Sequence, residues 1–465
     1  MNELITQLND VLWSYVLIAA LVGCGLWFTW KTHFVQFRMV GEMFRLLTES
    51  AVDTAKGVKH ISSFQAFAVS VATRVGTGNL AGVAAAIAIG GPGAVFWMWL
   101  IALIGSATAF VESTLAQLFK KKNKDSFIGG PAYYIQQGLH KRWMAVLFAV
   151  LITLQFGLSN NSIQANTICG AMQEAFGFSP VWVGGVLAAM ALFIVFGGIQ
   201  RIAHVSSILV PVMAVSYVVL AIVIIVMNIE HLPHVLKVIV ENAFGIGQVA
   251  GGSIGAAMMN GIKRGLFSNE AGEGSAPNVA ATATTSHPVK QGLIQALGVF
   301  TDTLLVCSCT AFIILISGLY QHPDLSGIAI TQSALQAEVG SAGPVFVAVA
   351  IFLFAFSSII GNYYYGEANI RFITQNKKVM TVYRVCSAGV VVMFGALASF
   401  EVAWNIVDLF MAFLTACNLT AIILLGRYAF RLLDDYRHQK RQGIKDPVFH
   451  RSQIPELEKE LECWD

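Results

Sequence analysis

The chain has 465 residues, of which 56% are hydrophobic and 12% are charged, and its formal net charge is +3. Soluble domains carry about 25% charged residues, and a soluble chain of this length cannot hide so much apolar surface in a core. The composition therefore excludes a soluble globular protein, and the small net charge gives no reason to expect a nucleic acid partner.

The apolar runs are about 20 residues or longer and do not alternate, which predicts membrane helices rather than a β-barrel. A short helix is expected in an external loop at 327–339, and a solvated tail at 427–465. The N-terminus has no basic region before its apolar run and is not expected to be a cleaved signal peptide. We predict about eleven spans, near 11–30, 63–89, 92–119, 143–170, 180–199, 205–227, 238–262, 289–317, 343–370, 379–398 and 402–426.

The lysines and arginines predict the orientation, because cytoplasmic loops hold the excess of basic residues. With the N-terminus outside, nearly all of the 29 basic residues fall inside, including Lys263 and Arg264. Lys237 falls at an external edge, and Arg74 falls within a helix. We therefore predict a multi-pass protein of the cell (inner) membrane, with the N-terminus outside and the C-terminus cytoplasmic.

Glycine clusters interrupt the second and seventh predicted helices, at 76–79 and 251–253. They lie five helices apart, so they enter the membrane in opposite directions, as the broken helices of inverted-repeat transporters do. The interpretation divides the chain into an extra helix with a cytoplasmic linker (1–62), two five-helix repeats (63–228 and 238–426) and the tail (427–465). Close helix packing is the alternative explanation of each glycine cluster.

An unwound helix offers N–H groups to a carboxylate and carbonyl groups to a cation. We expect Thr77 and Gly78 to contact a small substrate and the amide oxygen of Asn79 to bind a cation. The facing wall is predicted to consist of Gly251, Gly252 and Ser253.

Three amides on the fourth predicted helix, Asn160, Asn161 and Gln164, are close to sharing a face at spacings of three and four residues. We expect them to contact the substrate, and hydrogen bonds between helices are the alternative.

Ionisable and hydroxyl groups inside spans are costly in lipid and mark a pathway, a gate or a counter-ion. Arg74 is expected to form an inner gate with an acid, or else to bind a substrate carboxylate. Asp302 with Thr301 is a candidate cation or proton site. The hydroxyls of Ser357 and Ser358 suit sodium, although serines in helices also bond back to their own carbonyls.

Enzymatic chemistry is not expected, because no nucleophile has a paired base and no metal spacing is present. The seven cysteines contain no CxxC pair and indicate neither a disulfide framework nor a zinc site. The polar segment 264–277 has no such pair either, and we predict that it forms a folded cytoplasmic gate element.

The segment 264–277 is also similar to a motif of a known family. The residues at 265–277, GLFSNEAGEGSAP, resemble the signature of the alanine/glycine:cation symporters, and the blocks at 74–83, 90–94 and 129–135 are similar to others of that family. The resemblance covers the second to eleventh predicted helices. The family is similar in fold to the neurotransmitter:sodium symporters, which implies an all-α membrane protein with a five-plus-five inverted repeat.

The wider resemblance also implies sodium ligands. It implies that Asn79 binds one sodium ion beside the substrate. A second sodium site would use the backbone oxygens of Ala72 and Val75 with the hydroxyls of Ser357 and Ser358. Arg74 departs from the pattern, because the distant relatives have a small residue at that position.

The resulting prediction is a transporter, not an enzyme. It carries a small neutral amino acid, alanine and/or glycine, into the cell with sodium by alternating access, with membrane lipid as its surroundings and no resident cofactor beyond the co-transported ion. A proton-coupled symporter is the alternative, and a channel is a weaker one because no filter motif is present.

Overall fold

The computed structural model describes residues 2–49, 61–123, 126–245, 254–322, 325–397 and 399–464. They are mostly helical, with one antiparallel hairpin of β1 (Lys121–Asn123) and β2 (Ser126–Ile128). The helices of the first part are α1 (Asn2–Val11), α2 (Leu17–Lys31), α3 (Val35–Arg38), α4 (Val40–Leu47), α5 (Ser63–Arg74), α6 (Val83–Gly90), α7 (Gly93–Leu118), α8 (Pro131–Gly138), α9 (Arg142–Leu154), α10 (Asn161–Phe176), α11 (Pro180–Val195) and α12 (Gly198–Met227).

Ten further helices follow. They are α13 (Leu232–Ala243), α14 (Ile254–Asn269), α15 (Pro277–Ala280), α16 (Pro288–Val299), α17 (Ser308–Ser317), α18 (Ile328–Val339), α19 (Ala342–Ile373), α20 (Lys377–Val385), α21 (Val391–Gly395) and α22 (Phe400–Arg441). Helix α18 occupies the stretch predicted as a short helix.

The described residues include eight helices that are long and apolar enough to cross a membrane, and two shorter apolar helices, Gly78–Gly90 and Pro180–Val195. Every predicted span contains helix, so the all-α membrane architecture is confirmed. The total of eleven spans and the division into two repeats stay predictions.

Several long helices contain a π-helical turn, in which one extra residue widens the ladder and frees backbone groups. Five such turns are described: Leu12–Val16, Gly78–Gly82, Gln155–Asn160, Phe300–Cys307 and Cys386–Val390. Three of them contain predicted site residues, namely Asn79, Asn160 and Asp302.

The prediction for the seventh span is wrong at its inner end. Helix α14 continues past residue 262 to Asn269, and residues 264–277 are buried inside the bundle. Lys263 and Arg264 both contact the carboxylate of Asp408, which lies only eight residues after the start of α22, about 12 Å along the axis. These two basic residues therefore lie within the helix bundle and not in a loop, because both pair with an acid of another long apolar helix.

The tail is not simply solvated, contrary to the prediction. Helix α22 runs through its first part, and Tyr436, Phe449, Leu461 and Trp464 are buried. The indole of Trp464 donates to the carbonyl of Leu118 at 3.0 Å and packs edge-on against Phe449. Apolar side chains spaced along a polar segment thus dock it across the end of α7.

Replacing Trp464 with alanine is expected to release the tail, because truncating a buried tryptophan costs about 3–5 kcal/mol. Limited trypsin digestion of the folded protein should then cut after Lys445, Arg451 or Lys459 much faster than in the unchanged protein. Trp182, with 78% of its surface exposed, provides the matched control Trp182→Ala. Equal digestion rates in both variants would contradict the docking.

Candidate functional site

The first helix break lies between α5 and the π turn at Gly78. Val75 is extended (φ −81°, ψ 91°), so the backbone groups on either side lose their helical partners. Gly76 N–H donates to the amide oxygen of Asn79 at 2.9 Å. Both the N–H and the hydroxyl of Thr77 donate to the amide oxygen of Gln164, at 2.9 and 2.8 Å. Gln164 therefore lies against the break, as the amide pattern predicted.

The carbonyl groups of the same break face α19. Ser358 donates its hydroxyl proton to Ala72 O at 2.8 Å and lies 3.4 Å from Val75 O. Ser357 lies 3.3 Å from Ala72 O. Both hydroxyls also reach their own helix at Phe354 O, at 2.8 and 3.1 Å. The structure thus brings together the four oxygen-bearing residues that the resemblance implied, and all four are buried.

A second polar cluster joins the first break to the end of α14 through Asp302. The amide nitrogen of Asn79 donates to Asp302 Oδ1 at 2.7 Å. The hydroxyls of Ser268 and Thr303 donate to Oδ2 at 2.8 and 2.9 Å. Thr301 does not join this cluster, because its hydroxyl bonds to Leu297 O on its own helix.

The irregular segment 270–276, after α14, is the second break that the structure describes. Glu270 has a left-handed φ of 58°, and Gly272 and Gly274 have φ of 94° and 86°. Glycine adopts such angles without a steric cost. A Cβ on Gly78 would lie 3.3 Å from Ser268 Cα, so the backbones at the two breaks nearly touch.

Side chains of the segment itself and of other helices form hydrogen bonds at this second break. Glu270 Oε2 accepts hydrogen bonds from Ser275 at 2.5 Å and from Tyr365 at 3.2 Å. Glu112 accepts from Gly272 N–H at 3.2 Å and from Asn418 at 2.8 Å. The signature segment is thus buried among the helices rather than exposed in a loop, and its predicted role in a gate stays a prediction.

The three residues predicted for the facing wall, Gly251, Gly252 and Ser253, lie outside the described residues. The chain beside them packs against the ends of α6 and α7. A Cβ on Gly90 would lie 3.1 Å from Ala256 O, and one on Gly93 would lie 2.5 Å from Ala243 N.

The two remaining amides differ from Gln164. Asn161 donates to Ser387 on the neighbouring helix at 3.1 Å, as the packing alternative expects. Asn160 is buried, and its amide oxygen has no hydrogen-bond partner among the described residues.

Arg74 is buried, and it forms no ion pair with the described residues. One guanidinium nitrogen, Nη1, donates to Gln295 O on α16 at 3.2 Å, and Nε and Nη2 have no partner in the described part of the chain. Its charge acts on Glu112, Glu270 and Asp302 without contacting them. The predicted acid partner of a gate is therefore not engaged in this conformation.

A group of four packed side chains that the sequence did not predict lies beside the breaks. Arg264 forms a bidentate pair with Asp408, with N–O distances of 2.9 and 3.0 Å. Its guanidinium stacks 4.1 Å from the ring of Trp404, which packs 4.6 Å from Phe267. These four side chains, the Arg264–Asp408 cover, pack between the first turns of α22 and Gly78, where Phe267 would lie 3.0 Å from an added Cβ.

Gly76 is packed so closely that it leaves no room for a side chain. A Cβ there would clash with Ser358 Oγ and lie 2.8 Å from Gln164 Oε1. Gly76→Ala is therefore expected to lower the free energy of unfolding by about 1–3 kcal/mol, the usual cost of overpacking. Thermal unfolding in detergent measures this. Gly170→Ala on α10 is the control, since no atom lies within 4 Å of its Cβ, and equal midpoints would contradict the close approach.

Comparison with known proteins gives the family. The family model described as the sodium:alanine symporter family matches residues 1–451. The probable sodium/glutamine symporter GlnT of Bacillus subtilis (strain 168) is 54% identical, over 98% of this chain and 94% of its own length. The putative sodium/proton-dependent alanine carrier protein YrbD of the same organism is 42% identical, over 97% of this chain and 95% of its own length.

Among solved structures, the nucleobase-cation-symport-1 family transporter Mhp1 is similar over 90% of this chain and 100% of its own, at 14% identity and a TM-score of 0.44. The match of the family model to nearly the whole chain, with relatives of high identity, carries the assignment. The chain belongs to the sodium:alanine symporter family, a family of membrane transporters.

Proposed function

We propose that this protein is a sodium-coupled symporter that carries a small neutral amino acid, alanine and/or glycine, into the cell. The observation that carries the proposal is the position of Gly76. Its N–H and that of Thr77 face side-chain amides, while the adjacent carbonyls of Ala72 and Val75 face two serines. A carboxylate and a sodium ion would thus bind to opposite sides of one break.

Sodium suits the four oxygens between α5 and α19. Ala72 O, Val75 O and the hydroxyls of Ser357 and Ser358 are neutral, buried and within 3.4 Å of one another in the pairs described. Sodium accepts neutral oxygen ligands, and unwound backbone carbonyls at mid-membrane coordinate this ion in transporters. When the ion binds, each serine turns its lone pairs inward and keeps a helix carbonyl as acceptor for its proton.

The amino-acid carboxylate would take the place of the Gln164 oxygen at Thr77. In the present conformation that oxygen accepts two hydrogen bonds from Thr77. A bound carboxylate accepts the same two donors and leaves the Gln164 amide free for the substrate amine. Small side chains fit best, because Phe267 and Ser268 already lie 3.0–3.3 Å from a Cβ placed on Gly78.

The proposed alternating access would use two sets of contacts that enclose the breaks. The Arg264–Asp408 cover closes one side, and the contacts of Glu112 with Gly272 and Asn418 close the other. Each must open in turn, and Arg74 is the cation available to re-pair with an acid on the inner side. Moving one charge through the membrane potential supplies about 2.3 kcal/mol per 100 mV, or about 50-fold accumulation.

The substrate and the coupling ion each have one alternative. Glutamine is a second candidate substrate, because the 54% identical relative carries that name and the unpartnered amide oxygen of Asn160 lies one turn from Gln164. A proton is the alternative coupling ion, and Asp302, bound by three neutral donors, is the group that would carry it.

The first experiment is uptake of labelled alanine, glycine and glutamine into proteoliposomes under an imposed sodium gradient, and then under a proton gradient alone. Saturable, sodium-dependent uptake of alanine or glycine is expected, with competition between the two. Uptake driven by protons alone would show that the coupling ion is a proton, carried at Asp302, and not sodium. No uptake of any of the three in folded protein would contradict the proposal.

Asn79→Ala and Gln164→Ala are expected to abolish saturable uptake. Each removes the acceptor of a buried N–H in the break, and leaving such a group unsatisfied costs about 1–3 kcal/mol besides the lost substrate contact. Gln173→Ala is the matched control, because Gln173 lies exposed on the same helix as Gln164. Normal kinetics in both site variants would remove this site from the mechanism.

Ser357→Ala and Ser358→Ala are expected to raise the sodium concentration needed for half-maximal uptake, by about tenfold each if a ligand contributes about 1.4 kcal/mol. The maximal rate at saturating sodium should change less, because neither hydroxyl contacts the substrate donors at Thr77. Ser216→Ala is the control, since the Ser216 hydroxyl bonds to Met213 O on its own helix. An unchanged sodium dependence would place the ion elsewhere.

A further inference from the structure

A basic cavity lies where the end of α2 and the short helix α3 meet the last turns of α22. Its volume is about 240 Å³, and none of the described residues that line it carries a carboxylate. This cavity is called the arginine cavity below. The residues that line it are Thr32, His33, Val35, Arg38, Met39, Arg437, Lys440 and Arg441.

The charges of the arginine cavity are not balanced by the described part of the chain. Lys440 pairs with Glu42 at 3.2 Å, but Arg38, Arg437 and Arg441 have neither an ion pair nor a side-chain hydrogen bond with any described residue. Three guanidinium groups around one cavity repel one another. An arrangement of this kind is stable when an anion bridges them, since each guanidinium offers a fork of donors to a phosphate.

Two carboxylates lie nearby and offset only part of the charge of these arginines. Asp434 and Asp435 line a larger adjoining cavity of about 730 Å³, which shares Arg38, Arg437 and Arg441. Asp435 is already bound by His287 at 3.1 Å and by Gln453 at 3.0 Å. Asp434 is exposed and forms no ion pair with the described residues. The balance of charge around the three arginines therefore stays positive.

The surface beside the arginine cavity is apolar and aromatic. Trp30, Phe34 and Phe37 are 61%, 52% and 49% exposed. The ammonium of Lys31 lies 4.7 Å from the ring of Trp30. Exposed tryptophans with neighbouring basic residues are typical of the membrane–water interface. The arginines thus begin where a lipid-facing surface ends.

We propose that the arginine cavity binds the headgroup of an anionic phospholipid. The phosphodiester would contact Arg38, Arg437 and Arg441, and the acyl chains would lie along Trp30, Phe34 and Phe37. Basic pockets between membrane helices bind anionic headgroups by the same chemistry. A free phosphate ion offers the same anion but no acyl chain, so the aromatic surface favours the lipid. The lipid would join the α2–α3 turn to α22.

The test compares lipids on the full-length protein in a neutral detergent. Phosphatidylglycerol, phosphatidylcholine and inorganic phosphate are added separately, and binding is followed by native mass spectrometry and by the thermal unfolding midpoint. Arg437→Gln/Arg441→Gln removes two charges from the cavity, and Arg38→Gln removes the third on another element. Lys377→Gln/Lys378→Gln, which removes two exposed lysines at the start of α20, is the matched control.

Phosphatidylglycerol should bind the unchanged protein and the lysine control alike and raise both midpoints, while phosphatidylcholine should not. Affinity in the double arginine variant should fall about 30-fold, the effect of two basic side chains at an anionic surface. Arg38→Gln should weaken binding in the same direction, even if the double variant folds poorly. Equal affinity in the arginine and lysine variants, or full stabilisation by inorganic phosphate alone, would overturn the proposal.

Discussion

The break after α5 depends on side chains from other helices, and the remainder of the site is arranged around that requirement. Where Val75 leaves the helix, Gly76 and Thr77 lose their internal acceptors. A backbone group left unsatisfied inside a membrane costs several kcal/mol. Asn79, Gln164 and Ser358 meet this requirement from three different elements. The break is therefore stable only while α10 and α19 hold their present positions, and this links a local backbone irregularity to the packing of the whole bundle.

The second break is also stabilised by hydrogen bonds from other elements, but here the acceptors are carboxylates of the break itself. The segment after α14 carries its own acids, and Glu270 and Glu273 accept hydrogen bonds from Ser275, Tyr365 and Gln155. Asp302 connects the two breaks, because it accepts from Asn79 on one side and from Ser268 on the other. Any ion or proton that changes the charge at Asp302 acts on both breaks together. Such a shared carboxylate is one physical route by which binding at one broken helix alters the other.

The sequence predicts the first break well because its signals are local. The glycines at 76 and 78, the amide of Asn79 and the polar face of α10 all lie where periodicity and cost in lipid place them. The cation residues Ala72, Val75, Ser357 and Ser358 came from the family resemblance, since spacing along α5 and α19 does not show which turns meet. The break after α14 was not predicted, because Lys263 and Arg264 look like the end of a span, and the predicted break at 251–253 lies outside the described residues. The carboxylate of Asp408 is the acid that pairs with both, 144 residues from Arg264 in sequence, and a pairing at that separation leaves no pattern in the chain.

In the proposed alternating-access cycle, the buried pairing of Lys263 and Arg264 with Asp408 is also a contact that has to open. Two basic side chains share one carboxylate, with Lys263 at 2.6 Å and Arg264 at 2.9 Å from Asp408. The desolvation of such groups offsets much of their attraction, so a buried ion pair contributes little net stability while it is closed. Opening the cover to water restores the hydration of all three charges. The free-energy difference between closed and open is thus smaller than the strength of the contacts suggests, and in the proposed mechanism a substrate bound at the first break would need only modest binding energy to shift it.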